Sequence, residues 1–320
     1  MAKMFTDMTR HALNGTTMGT RWSALFHAPT DFDAGPVQTA MAAAVAEVDE
    51  QMSTWTPTSA LMRLNATPPD VWVAVPTPLM TVLQAALEIG RASHGAFDIA
   101  VGDAVTAWGF GPTPANPNAI RKALTDHRPT AQDTLDLDPD RGLARKRAPL
   151  TLDLSGIAKG YGVDRLADIA RSFGLNALLA IDGELRALGT QPDGTPWTVG
   201  IERPDHTTRA ARSILTLSDA AIATSGDYRH WITVGDKRLS HTMDPARGGP
   251  LTASPASVTV IAETCMLADA WATALMVLGS RNGADLARCH NLTALFLDRD
   301  GDQFRETGVG DLFNAPRETA

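Results

Sequence analysis

The chain has 320 residues, of which 44% are apolar and 20% charged. That is ordinary globular composition, with enough chain to bury a sizeable core. Its 28 Lys and Arg against 36 Asp and Glu give a formal net charge of −8, so it carries no basic footprint for non-specific nucleic-acid binding. Two cysteines, Cys265 and Cys289, cannot build a disulfide framework, and no Cys/His metal spacing accompanies them.

Residues 1–14 read as a tail, 15–310 as one domain and 311–320 as a second tail, with 112–150 as the place where two lobes would meet. The N-terminus has no continuous apolar run, no cleavage site and no lipidated cysteine. As it stands the sequence is expected to be cytoplasmic; a chain trimmed of a leader would look the same and would be periplasmic. No segment offers 18 uninterrupted apolar residues, so no transmembrane segment is expected.

TTMGTRWSALFHAP reads as a strand. Met41, Val45, Val48 and Met52 recur at helical spacing, and after a turn at Thr56-Pro57-Thr58 a short helix follows. Leu79, Val82, Leu83, Ala86 and Leu87 share one face of a second long helix, which Gly90 and Gly95 end. Residues 111–140 hold five prolines and read as an excursion with a short helix. The basic run at 141–150 reads as a solvated edge. TLDLSGIAKGYGVDRLADIARSFG predicts strand, turn and helix. The second half is strand-rich, then gives strand and helix over ASVTVIAETCMLADAWATALMVLG and a final hairpin turning at Asp300-Gly301. Long helices mixed with strands in no regular βαβ order predict an α+β fold.

Five constellations can carry chemistry. Asp269 and Thr273 lie four apart in an otherwise apolar helix, hence on one face. They read either as hard oxygen ligands for Mg²⁺ or as a carboxylate bonded to a neighbouring backbone. In LDLSGIAKGYGVD, Ser155, Gly156 and Gly160 surround a strand-to-helix turn whose amides would suit a diphosphate, with Lys159 adding charge. An ordinary Gly-rich turn reads equally well, since neither the Walker nor the Rossmann spacing is present. His241 and Asp244 flank a turn and read as a base with its orienting carboxylate, or as a turn in which Asp244 bonds its own backbone. AIATSGDYRHW lacks the GxSxG elbow, so Ser225 is no hydrolase nucleophile. Phe97, Asp98, Trp108 and Phe110 lie between glycines, where they can hold a flat ring or form an aromatic mini-core.

The order of these blocks is more specific than any one of them. MGT at 18–20, MSTW-P-S…L-RLN at 52–65, GAFD…WGFG, LDLSGIAKGYGVD, DGELRALG, ATSGDYR, SHTMDP…G-P and ADAWATAL run in series. The series resembles the ApbE family of flavin transferases over residues 15–300. The resemblance implies an α+β fold related to a duplicated T-fold, with mixed or antiparallel sheets and packed helices. It implies FAD as substrate, Mg²⁺ as cofactor, and transfer of the FMN half of FAD to a Ser or Thr of a partner protein with release of AMP. That acceptor would be a flavoprotein carrying a short Asp/Asn-x-x-Ser/Thr-Gly-x-Thr-like flavinylation motif. An FAD pyrophosphatase, with water in place of the acceptor, is the alternative, and an FAD carrier without chemistry is a third.

Carried over by motif, Asp269, Thr273 and the carbonyl of Ala158 are the implied metal ligands. Met18, Trp55, Ala96, Phe97, Asp98, Ser155 and Tyr161 are implied FAD contacts. Met243 is placed against the flavin or adenine, and Glu184 and Thr224 in the site lining. His241 is the implied catalytic base, helped by Asp244, and Lys159 stabilises developing charge. Two positions depart from the family pattern: Asp182 stands where Gly is usual, and Trp55 where Tyr is common.

Overall fold

The computed structural model describes residues 8–205, 210–228, 231–234, 237–301 and 303–314. The chain opens with a hairpin, β1 (Met8–Thr17) and β2 (Thr20–Pro29). Its two-residue turn, Met18-Gly19, has φ of +46° and +70°, as a tight hairpin matching strand twist requires. Residues 8–14, expected in a tail, are therefore strand. β1 buries only Thr17, so it lacks the apolar alternation that would have betrayed it.

Helix α1 (Gly35–Met52) starts with a proline in its first turn and buries Val37, Met41, Val45, Val48 and Met52 along one stripe. Helix α2 (Ala60–Ala66) is capped by Ser59 Oγ, which accepts from Met62 N. After β3 (Val73–Ala74) comes α3 (Thr77–Ala92), burying the five residues read from its spacing. The Pro-rich stretch follows α4 (Gly102–Ala107) and holds α5 (Pro117–Thr125), α6 (Ala131–Thr134) and β4 (Leu135–Asp138), which precedes β5 (Leu143–Lys146). Then come α7 (Ala158–Ser172), β6 (Ala177–Ile181), β7 (Glu184–Leu188), β8 (Trp197–Glu202), β9 (Ala211–Leu217) and β10 (Ala220–Gly226). Short ladders follow: β11 (Trp231–Val234) with β12 (Lys237–Ser240), and β13 (Met243–Asp244) with β14 (Gly249–Pro250). The chain closes with β15 (Ser257–Ala262), α8 (Cys265–Cys289), β16 (Thr293–Asp300), β17 (Gln303–Val309) and α9 (Asp311–Asn314).

Eight strands form the main sheet in the order β1-β2-β6-β7-β10-β15-β16-β17. Every ladder among the described residues is antiparallel, so the α+β expectation holds. Successive strand residues face opposite sides, and the sheet uses both. On one side Trp22, Ala24 and Phe26 of β2 with Leu179 and Ile181 of β6 pack against α1 and α7. Val258 and Val260 of β15 meet Ala272, Leu275 and Met276 of α8 in the largest core. On the other side Leu25, Leu178 and Leu185 meet Trp197, Val199 and Ile201 of the β8–β9 hairpin. Helix α8 is broken at Gly279 (φ +74°, ψ 171°), a glycine kink where the sequence predicted its apolar segment to end.

Two expectations are corrected here. Residues 151–154 form no strand: Leu152 N donates to Asn65 Oδ1, Asn65 Nδ2 to Leu152 O, and Asp153 N to Ile99 O. Their backbone is satisfied by a side chain and a loop rather than a ladder. The basic run is not wholly solvated either. Arg145 pairs with Asp136 at 2.7 Å and stacks on Trp72. Lys146 points inward, buried, with Nζ donating to the carbonyls of Asn65 (2.6 Å) and Leu150 (3.3 Å); burial holds its ammonium below the usual lysine range.

Candidate active site

The turns and strand ends on one rim of the fold enclose a cavity of about 1440 Å³, larger than most drug-sized ligands occupy. Its floor is the start of α7 and its wall the first half of α8. At the floor, Asp153 is buried and its Oδ1 accepts from Ser155 N at 2.8 Å, a tight Asx turn. Burial raises its carboxyl above the usual range. Leu154 O accepts from the amides of Ile157 and Ala158. Gly160 N donates to Asp269 Oδ2 at 3.0 Å.

The amides of Ser155, Ile157, Ala158 and Gly160 are thus already bonded within the protein, so at most those of Gly156 and Lys159 in this turn are left for a phosphate. The glycines serve close approach. A Cβ on Gly160 would lie 2.8 Å from Asp269 Cβ and closer still to the Cys265 carbonyl. One on Gly156 would lie 3.1 Å from Thr273 Oγ1 and 3.3 Å from Phe97 Cε2.

Asp269 and Thr273 do face the same space, one helical turn apart. Asp269 is 4% exposed. Burial first, then the neighbouring Glu184, push its carboxyl up to about 7, against the pull of Lys159 and of the Gly160 amide. Thr273 Oγ1 lies 3.1 Å from Ser225 Oγ. Ser225, read only as a failed nucleophile from sequence, lines the cavity and holds the Thr273 hydroxyl. Opposite, Lys159 Nζ meets Glu184 Oε1 at 2.8 Å. Burial alone would lower the Lys159 ammonium, but Glu184 and Asp269 outweigh it and hold it above its ordinary value. Burial raises Glu184, whose Oε2 is buried without a hydrogen-bond partner among the described residues.

Of the residues singled out from sequence, Met18, Trp55, Ala96, Phe97, Asp98, Ser155, Ala158, Lys159, Glu184, Thr224, His241, Met243, Asp269 and Thr273 all line the cavity. Met18 reaches it from the β1–β2 turn and packs over Gly162 of α7. Trp55, in the α1–α2 connection, is 64% exposed at the rim. Phe97 is buried, its amide held by Ser93 Oγ at 3.0 Å. Asp98 accepts from the amides of Ala100 and Ala131, so it braces the loop. Thr224 Oγ1 pairs with Thr259 Oγ1 at 2.9 Å. His241 meets Phe110 edge-on at 6.4 Å between ring centroids. Met243 packs with Ala104, Ala107 and Ala123.

Two residues stand apart. Tyr161 does not line the cavity; it packs half-buried against the core, which raises its phenol. Asp244 is also outside the lining, and its Oδ1 accepts from the amides of Ala246 and Arg247. That is the turn-bonding alternative for one of the two Asp244 carboxylate oxygens.

Among the described lining residues eight are acidic (Asp49, Asp98, Asp153, Asp182, Glu184, Glu202, Asp205 and Asp269) and one, Lys159, carries a fixed positive charge. Glu202 and Tyr228, joined by a 3.2 Å hydrogen bond, were not read as site residues; Glu202 ends β8 with no motif of its own, and Tyr228 stands in the ATSGDYR block, where no role was given to it. No three His, Cys, Asp or Glu side chains among the described residues converge as a metal site. A metal here would rest on one carboxylate, one hydroxyl and main-chain oxygen. Asp269 Oδ1, which makes no hydrogen bond among the described residues, and Thr273 Oγ1 are hard donors, and Glu184 Oε2 beside them is unsatisfied. This donor set fits Mg²⁺, which takes few protein ligands and keeps waters and phosphate oxygens.

Fold and cleft together are those of an α+β protein with a large cavity lined by acidic side chains. The ApbE family profile matches residues 18–296, and the chain belongs to that family. It is 37% identical to an FAD:protein FMN transferase of Vibrio cholerae, covering 92% of this chain and 89% of that one. The corresponding Klebsiella pneumoniae protein is 34% identical, over 93% and 87%. Among solved structures, a flavin transferase ApbE from Vibrio cholerae superposes with a TM-score of 0.82 at 34% identity, covering 94% and 97%. The apo flavinyl transferase ApbE of Pseudomonas stutzeri gives 0.85 at 32%, covering 98% and 99%.

Proposed function

We propose that this protein moves the FMN moiety of FAD onto a Ser or Thr hydroxyl of an acceptor flavoprotein and releases AMP. The observation that carries the reading is the placement of Asp269 and Thr273 on the wall, and of Lys159 opposite them at the floor, of a cavity large enough for a dinucleotide. Membership of the family supports it. In the transfer, the acceptor oxygen bonds to the FMN-side phosphorus. The bond from that phosphorus to the bridging oxygen breaks, and that oxygen leaves as part of AMP.

Asp269, Thr273 and the Ala158 carbonyl would hold Mg²⁺, which when bound neutralises charge on the phosphates. Lys159 stays protonated across the working range and offers a fixed positive charge to the leaving phosphate. A nitrogen of His241 takes the acceptor's proton. Phe97 and Trp55 supply flat apolar surface, one at the wall and one at the rim, for a ring system.

The test is a mass-shift assay with FAD, Mg²⁺ and an acceptor carrying the flavinylation motif. One added FMN per acceptor is expected. FAD cleavage with the acceptor left unmodified would sink the transferase reading in favour of hydrolysis to FMN and AMP.

A further inference from the structure

Helices α7 and α8 exchange carboxylates at their N-termini. Asp269 of α8 bonds the Gly160 amide in the first turn of α7. Asp164 of α7 does the converse: Oδ1 accepts from Cys265 N and Oδ2 from Met266 N, each at 2.9 Å. These are the first two residues of α8, whose amides have no acceptor within their own helix. Thr264 Oγ1 takes a third, from Leu267 N at 3.3 Å. Asp164 is buried, and Arg186 of β7 donates Nη1 to its Oδ1. A buried bare carboxylate is costly; two helix-end amides and a guanidinium offset that cost here. Asp164 itself does not line the cavity.

The spacing gives this exchange a consequence for the site. Asp269 lies one turn beyond Cys265 and Thr273 one turn further. The helices touch so closely at Gly160 that no Cβ fits between them, so a slide or rotation of the first turn of α8 moves both oxygens. We propose that Asp164, held by Arg186, is the positioning residue for the Asp269–Thr273 pair: it sets the depth and rotation of α8 that aim both oxygens into the cavity. This rests on the reading of those two residues as metal ligands. Sites of this kind need their ligands held to within about 0.5 Å.

The test is Asp164→Asn, which keeps the shape but turns an amide donor towards one of the two helix-end N–H groups. Mn²⁺ binding is read from the free-ion electron paramagnetic resonance signal with ADP present, and folding by circular dichroism and melting. About tenfold weaker Mn²⁺ binding in a folded variant is expected, the usual effect of removing a group that orients a ligand. A lower melting temperature with Mn²⁺ affinity within twofold of wild type would mean that Asp164 only staples the helices, and would overturn the proposal. If Asp164→Asn does not fold, Arg186→Gln, which leaves the carboxylate in place, is read on the same titration. A threefold or larger loss supports the proposal and an unchanged affinity overturns it. Wild-type protein that binds no Mn²⁺ overturns the ligand reading as well, whereas wild-type binding with indifferent variants overturns the positioning role alone.

Discussion

Asp269 meets two demands with its two oxygens. Oδ2 caps α7 at Gly160, while Oδ1 faces the cavity side by side with Thr273 Oγ1. Replacing it by Ala therefore removes a helix cap, worth about 1 kcal/mol, along with the proposed ligand; Asn keeps the shape. In the unfolded chain an Asp titrates near 3.9, whereas in the folded protein Asp269 titrates at about 7. Between those values the unfolded chain ionises while the folded site keeps its proton. The metal-free protein thus loses stability as pH rises from about 4 to 7, and the full penalty persists above. Asn cannot ionise. Melted without metal, Asp269→Asn should gain on wild type between pH 4.5 and pH 8 while losing Mg²⁺-dependent turnover. A stability gap that does not change with pH would show that the carboxyl is not raised.

At the scale of elements, α7 and α8 meet through glycine. Gly160→Ala would drive a methyl against the main chain of Cys265. Overpacking of this kind costs about 1–3 kcal/mol, so a lower melting temperature and weaker metal binding are expected together. Normal stability in Gly160→Ala would mean that the helices part freely. Helices α1 and α3 were legible because their apolar residues repeat every three to four positions over about two to three turns. β1 was not, because as the outermost strand it buries almost nothing. Residues 151–154 have strand-like sequence but bond to Asn65 and Ile99, and no local pattern announces so distant a partner. That Asp269 and Thr273 face one space was legible through their spacing of four. Asp164 was not, since its partners are amides 101 and 102 residues away, and an amide has no sequence signature. Asp182 marks the reverse case. The departure from glycine noted in the sequence sits at φ +53° in the β6–β7 turn, a conformation that Asp tolerates at some cost.

At the scale of the molecule, charge sets the terms of binding. A chain of net charge −8 presents, among its described residues, eight acidic side chains against one fixed positive charge in the cavity proposed to take a diphosphate, and burial raises Asp98, Asp153, Glu184 and Asp269, so the negative charge there is smaller than the count. At an effective dielectric of about 20, like charges a few ångströms apart repel by several kcal/mol. FAD should therefore bind weakly in EDTA and at least tenfold more tightly with Mg²⁺, as read by quenching of flavin fluorescence. Equal affinity with and without the cation would require positive side chains that the described lining lacks. No helix among the described residues is long and apolar enough to cross a membrane.

The strand order also bears on how the chain is made. The β1–β2 hairpin can close as soon as it emerges, but the other edge of β2 waits for β6, with Phe26 opposite Ala177. At about 5–20 residues per second, roughly 8–30 s of synthesis separate the two. Through most of that interval the newborn hairpin shows an unpaired edge, and of the two helices that cover Trp22 and Phe26 only α1 has been made. A long exposure to edge-on pairing thus falls on the ribosome, before Glu184, His241, Asp269 and Thr273 have been made.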